Sequence, residues 1–166
     1  MEAGCEMTFG DLIFSLNIPI PLHSFKSIEI FARLLLPVLI YVPIKYLYPT
    51  GEKQEKSNLK YVKYFYDADI IAGDYLGISQ YMPKDMKGKI VITNTVTSSN
   101  VEDLKNRGAS YLITTTPEFE GRSFGTNVFQ AILIAISGKS PEELKLDDYL
   151  KLMEKIGFKP RIEKLN

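Results

Sequence analysis

Three short runs rich in β-branched residues, "DIIAGD", "KIVITNTV" and "ASYLITTT", predict an α/β protein. None of them alternates apolar with polar residues, which is how strands covered on both faces read. Helical segments separate them, the order of βαβ units with right-handed crossovers. The expected fold is α/β and Rossmann-like: an open, mostly parallel sheet with helices on both faces, missing its first strand–helix unit.

That last expectation comes from the opening, "MEAGCEMTFGDLIF". It reads as the final turn of a helix stopped at Gly4, followed by a strand-like run. A domain entered there lacks the element that should precede it, so the chain is expected to be the carboxyl-terminal part of a longer architecture. Phe25 to Ile40 repeats apolar residues at helical spacing behind Ser24, a capping residue. Its apolar side should face the core, with a kink or stop near Pro37. Residues 49–58, within "YPTGEKQEKSN", hold Pro49, Gly51 and a cluster of charges. They are expected to form a loop between a helical amino-terminal segment and the α/β core, inside one domain spanning 1–166.

"LKYVKYFYDA" reads as a short helix whose Tyr61, Tyr64, Phe65 and Tyr66 pack as core, because no basic face accompanies them for base stacking. "SNVEDLKNRG" is expected as a helix with a Ser or Asn cap, acids in its first turn and Gly108 as its stop. "TNVFQAILIAISG" is an apolar helix ending at Gly138. "SPEELKLDDYLKLMEKIG" is amphipathic and broken near Lys145, and "FKPRIEKL" is a closing edge strand or tail.

Composition removes several functions. With 45% hydrophobic and 24% charged residues in 166, the chain is long and apolar enough for one core-bearing domain and is not of disordered type. Twenty Lys and Arg balance twenty Asp and Glu, leaving no net field to hold nucleic acid. Cys5 is the one cysteine and His23 the one histidine, so no internal disulfide forms and no metal site is expected. Cys5 should be an inert core thiol and His23 a structural residue at a helix entrance. The charge-free run Leu34 to Ile44 is shorter than the roughly 20 residues a spanning helix needs and contains two prolines. Membrane contact is therefore not expected, and the location predicted is cytoplasmic. The same run is the surface expected to carry any homo-oligomer.

In a parallel α/β sheet, ligands bind beyond the carboxyl ends of the strands. The first strand is followed by Gly73 and Asp74, the second by Thr93, Asn94, Thr95 and then Thr97 to Ser99. The third is followed by Thr114, Thr115, Thr116 and Pro117. Asp74 suits a ribose hydroxyl, a base or simply a turn. "TNTVTSSN" suits a site and a helix cap equally. The third end is longer than a connector requires: ten residues lie between Thr116 and Asn127, whereas about 2 to 6 suffice. That excess carries Glu118, Glu120, Arg122 and Ser123, with Gly121 and Gly125 permitting close backbone approach. Thr126 or Asn127 then starts a helix whose free N–H groups favour an anion, which Arg122 would clamp. The other reading is a surface loop holding an internal Arg–Glu pair. Neither GxGxxG nor GxxxxGK[ST] is present.

The stretches "EAGCEMTFGDLIF", "YLYPTGEKQE", "ADIIAGD", "YMPKDMKGKIVITNTV" and "YLITTTPEFEGRSFGTNVFQAILIA" resemble a family of bacterial proteins labelled quinate 5-dehydrogenase-like. The resemblance covers essentially the whole chain, and "TTTPEFEGRSFGTN" is its most specific part. It implies NAD- or NADP-dependent oxidation of a cyclic hydroxy acid of the quinate or shikimate kind. The strand-end positions expected to hold such a cofactor are Asp74, Thr93, Asn94 and Thr95. For a substrate or other small anion they are Thr115, Thr116, Glu118, Arg122, Ser123, Thr126, Asn127 and Gln130. The last rests on a similarity to the end of shikimate and quinate dehydrogenases, matched here by Gly125, Gln130-Ala131, Gly138 and Pro141. The Lys and Asp that act as acid and base in those enzymes have no match, so catalytic residues stay unassigned. The alternative function is a non-catalytic domain that binds a small anion or nucleotide.

Overall fold

A computed structural model describes residues 4–43 and 59–166. Where one domain is expected, two compact units are found, Met1–Tyr61 and Val62–Asn166. The expected separator 49–58 lies outside the described residues, as do the first three residues and Ile44.

In the first unit "DLIF" is not a strand. Asp11–Ser15 forms a π-helical turn in which Phe14 N–H donates to Gly10 O at 2.8 Å. Leu12 and Ile13 are both buried, and adjacent residues of a strand cannot share one face. Among the described residues of this unit, sheet-like pairing is limited to the bridge Phe9–Leu22. The core comprises Leu12, Ile13, Leu22 and Tyr61, whose hydroxyl donates to Asn17 Oδ1 at 2.9 Å. His23 Nδ1 sits 3.2 Å from Met7 O in an exposed structural contact. Cys5 is exposed rather than part of a core.

Helix α1, Phe25–Leu39, starts at a capping box in which Ser24 accepts from Ser27 N–H and Ser27 Oγ accepts from Ser24 N–H. Pro37 neither ends nor precedes the end of the helix closely enough to truncate it, since the turn continues to Leu39 and Ile40 N–H still reaches Leu36 O. None of its residues is buried, contrary to a core-facing reading, and Leu34, Leu36, Val38 and Ile40 stand exposed.

The second unit contains the sheet. Helix α2, Lys63–Asp67, buries Phe65, while Tyr66 is exposed. Strands β1 (Ile70–Ala72), β2 (Ile90–Thr93) and β3 (Tyr111–Thr114) run parallel, and β6 (Arg161–Lys164) pairs antiparallel with β3. Helices α3 (Tyr75–Tyr81) and α4 (Ser98–Asn106) make the two crossovers. The cap of α4 is Thr97, locked to Asn100 in a capping box, rather than a Ser or Asn, and its first turn holds no acid. After β3 come a two-stranded hairpin, β4 (Glu118–Phe119) with β5 (Arg122–Ser123), then α5 (Thr126–Ser137) and α6 (Leu146–Lys155). Gly138 stops α5 at φ +66°, and Lys145 marks the break before α6.

The sheet order β1-β2-β3-β6 advances in one direction. The protein therefore has a mixed α/β fold with a mostly parallel four-stranded sheet. No reversal of strand order, where a Rossmann cleft forms, occurs among the described strands. Registers align Ile71, Val91 and Leu112 on one face, with Thr93 and Thr114 in the next row of that face, and all five are buried. On the opposite face Ile70, Tyr111 and Ile162 are exposed, so the expected burial of both faces is incomplete. Tyr75 and Leu104 bring α3 and α4 into the core, joined by Tyr75 Oη to Asn100 O at 3.4 Å. Burial, reinforced by the Asp103 charge, pushes the Tyr75 phenol up to about 12.

Among the described residues no helix is long and apolar enough to cross a membrane, and no three His, Cys, Asp or Glu are grouped to hold a metal.

Candidate functional site

The overlong segment after β3 spends its extra residues on the β4–β5 hairpin. Glu120 and Gly121 form its two-residue turn with φ +50° and +79°, both left-handed as a tight primed turn requires. The hairpin is fastened to the loop after β2. Ser123 N–H donates to Val96 O at 2.9 Å, Thr95 N–H to Phe124 O at 3.3 Å, and Ser98 Oγ to Gly121 O at 3.2 Å. A Cβ on Gly121 would lie 2.7 Å from Ser98 Oγ, so a side chain there would strain the left-handed backbone and displace the Ser98 hydroxyl. Within the strand end, Thr114 Oγ1 donates to Thr116 O at 3.0 Å and Thr116 Oγ1 to Phe124 O at 2.6 Å.

These bonds sort the predicted site residues. Thr93, Thr116 and Ser123 are buried at the junction, so they build the platform and do not meet a ligand. Ser123 Oγ has no hydrogen-bond partner in that buried place. Asp74 caps α3 by accepting from Leu76 N–H at 3.0 Å, which is the turn-acid alternative. Glu118 is not free for a ligand either. Its Oε2 lies 3.1 Å from Arg161 Nη1, close enough for charge attraction though not aligned for a hydrogen bond. Arg161 also pairs with Glu163. The Arg–Glu pair expected within this loop is not found among the described residues; Glu118 pairs instead with Arg161 of the closing strand, outside the loop. Arg161 was missed because nothing local links residues 118 and 161; only the antiparallel docking of β6 on β3 brings them together.

The remaining predicted residues stay accessible and partly converge. Asn94 donates through Nδ2 to Thr126 Oγ1 at 3.0 Å and accepts through Oδ1 from Thr95 at 3.1 Å, which fixes its amide. Thr95 holds this position at φ +46°, and a Cβ on Gly125 would touch its Oγ1 at 3.4 Å. Thr115 Oγ1 reaches Thr93 O at 3.4 Å. Asn94, Thr95, Thr115 and Thr126 therefore form one polar cluster beyond the ends of β2 and β3. Asn127 and Gln130 follow on the first turns of α5 and are exposed.

Helix α5 begins without a side-chain cap, since its N-cap is Gly125, and it has no acid in its first turn. Val128 N–H donates to Gly125 O at 3.1 Å, and the N–H groups of Thr126 and Asn127 have no acceptor among the described residues, at the positive end of the helix dipole. Because Thr126 Oγ1 already accepts from Asn94, its proton is free to point outward. Arg122 is exposed and has no ion-pair partner among the described residues. Two concavities of the second unit lie away from the cluster. One, of about 180 Å³, is lined by the end of α5, by Lys139 just after it and by α6 residues including Lys151, and one, of about 520 Å³, by Pro117, Glu118, Phe158 and Arg161.

Residues 1–165 match the model of a family described as a domain of unknown function (DUF8754), and the chain belongs to that family. No curated protein and no solved structure matches it.

Proposed function

We propose that this member of the family binds a small anionic molecule at the carboxyl ends of β2 and β3, over the start of α5. The observation that carries the reading is the uncapped, acid-free start of a 12-residue helix beside a preordered Asn94–Thr126 pair. Donors dominate there: the first amides of α5, the Thr126 hydroxyl, and Arg122 within the adjoining hairpin. The ligand class is a carboxylate or a phosphate, which such donors hold by charge-assisted hydrogen bonds.

Binding without catalysis is the form of this reading the site favours. Two of the acids that follow the strand ends are occupied, Asp74 as a helix cap and Glu118 as the partner of Arg161. A dehydrogenase acting with NAD or NADP on a quinate- or shikimate-like acid is the second reading. The exposed Gln130 on α5 supports it, at the position where the resemblance implies a substrate contact.

A thermal-shift series with inorganic phosphate, quinate, shikimate, NAD and NADP separates the two. Anion binding predicts stabilisation by phosphate or a carboxylic acid, growing with concentration by mass action. Stabilisation by a dinucleotide moves the reading to the dehydrogenase, and no shift with any probe removes both. Arg122→Ala should weaken the response about tenfold, the value of one charge-assisted contact, while leaving the unliganded melting temperature unchanged.

A further inference from the structure

We infer that the free edge of β6 pairs antiparallel with β6 of a second copy, about a two-fold axis at Ile162. The inference is independent of the anion site. Strand β6 ends the sheet order, and its outer side has no strand among the described residues. Leu165 N–H donates inward to Ser110 O at 2.9 Å. Amides of an antiparallel ladder alternate sides, so Glu163 and Arg161 also face β3, and Ile162 and Lys164 turn N–H and C=O to the free edge.

With Ile162 on the axis, the two Ile162 residues exchange both backbone bonds, and each Lys164 N–H meets the other copy's Pro160 C=O. Pro160 has no N–H of its own, which an edge position tolerates. Charges then select this register. Each Arg161 lies opposite the second copy's Glu163, on the same face of the sheet. Moving the axis to Glu163 sets that carboxylate against itself, and moving it to Arg161 sets that guanidinium against itself. Like charges directly opposed disfavour both slips.

The apolar side agrees with the charges. Ala72, Ile92, Ile113 and Ile162 share one row of the sheet, and Ile162, at the free end, is 67% exposed. Pairing across the axis continues this row into the second copy and covers Ile162 with its own counterpart. Pro160 and Lys164 at the two ends are residues that discourage indiscriminate edge pairing. They leave one short, self-complementary window open.

Sedimentation equilibrium of the full chain provides the test. The wild type is expected at twice 18.8 kDa at high micromolar concentration. Ile162→Pro removes an outward N–H and no bond to β3, so it should weaken dimerisation at least tenfold with an unchanged far-ultraviolet spectrum. Glu163→Arg should also weaken it, and Arg161→Glu combined with Glu163→Arg should restore it. These two variants decide the matter if Ile162→Pro misfolds. A wild type that stays at 18.8 kDa, a dimer indifferent to a folded Ile162→Pro, or failure of the charge swap to restore pairing overturns the inference. A dimer removed by Leu34→Glu and unaffected at β6 assigns self-association to α1 and overturns it equally.

Discussion

Alanine at Gly121 strikes the bond network that holds the hairpin against the loop after β2. The left-handed backbone, φ +79°, costs an L side chain about 1–2 kcal/mol. The new Cβ would stand 2.7 Å from Ser98 Oγ, so Ser98 must rotate and give up its bond to Gly121 O. That loss adds about 0.5–1.5 kcal/mol. Gly88→Ala is the matched control, because Gly88 has φ +77° and nothing within 4 Å of an added Cβ. It carries the backbone cost alone, about 1–2 kcal/mol. Urea unfolding of the two variants should therefore differ by about 1 kcal/mol at equal m-value, with Gly121→Ala the weaker. The same variant should bind phosphate less well, because Thr95 and Gly125 are held by the fastening it loosens. Equal midpoints for the two variants, together with wild-type affinity in Gly121→Ala, would refute the idea that the hairpin is fastened through Ser98.

Two other outcomes follow from the buried groups. Thr116→Val should cost about 1 kcal/mol, since the shape is kept and Phe124 O retains Thr95 N–H at 3.3 Å; a thermal melt indistinguishable from wild type would contradict the buried Thr116 bond. For Tyr75, burial raises the phenol from its ordinary 10.0 to about 12, so the native state keeps the proton longer than the unfolded chain. Its contribution is complete below pH 10 and is lost as pH rises towards 12. Tyr75→Phe should flatten the decline of stability over that interval, measured by denaturant midpoints at stepped pH.

Much of the fold was legible because its signals are local. The three parallel strands, the Gly138 stop of α5, the break at Lys145 and the closing β6 all follow from β-branched runs, glycine and proline placement and hydrophobic period. Helix α3 was not read from sequence: with seven residues, its one start signal was Asp74, which also suited a ligand. The Asp11–Ser15 turn resembled a strand because five residues carry too little period to separate the two. At the site, the excess length after Thr116 correctly marked something beyond a connector. What it marked was a hairpin, and the Glu-Gly turn inside "EFEGRS" was its available sign. Which hydroxyls face solvent was not legible, because Thr93 and Thr116 read the same as Thr95 and Thr115 until the register of the sheet assigns their sides.

Amide-resolved NMR during titration with inorganic phosphate tests the central claim most directly. The account predicts the largest shifts at Thr126 and Asn127, smaller ones at Thr95 and Thr115, and a loss of affinity in Arg122→Ala. Saturating phosphate that leaves the first turn of α5 unmoved, or that shifts Lys139 and Lys151 instead, would contradict it.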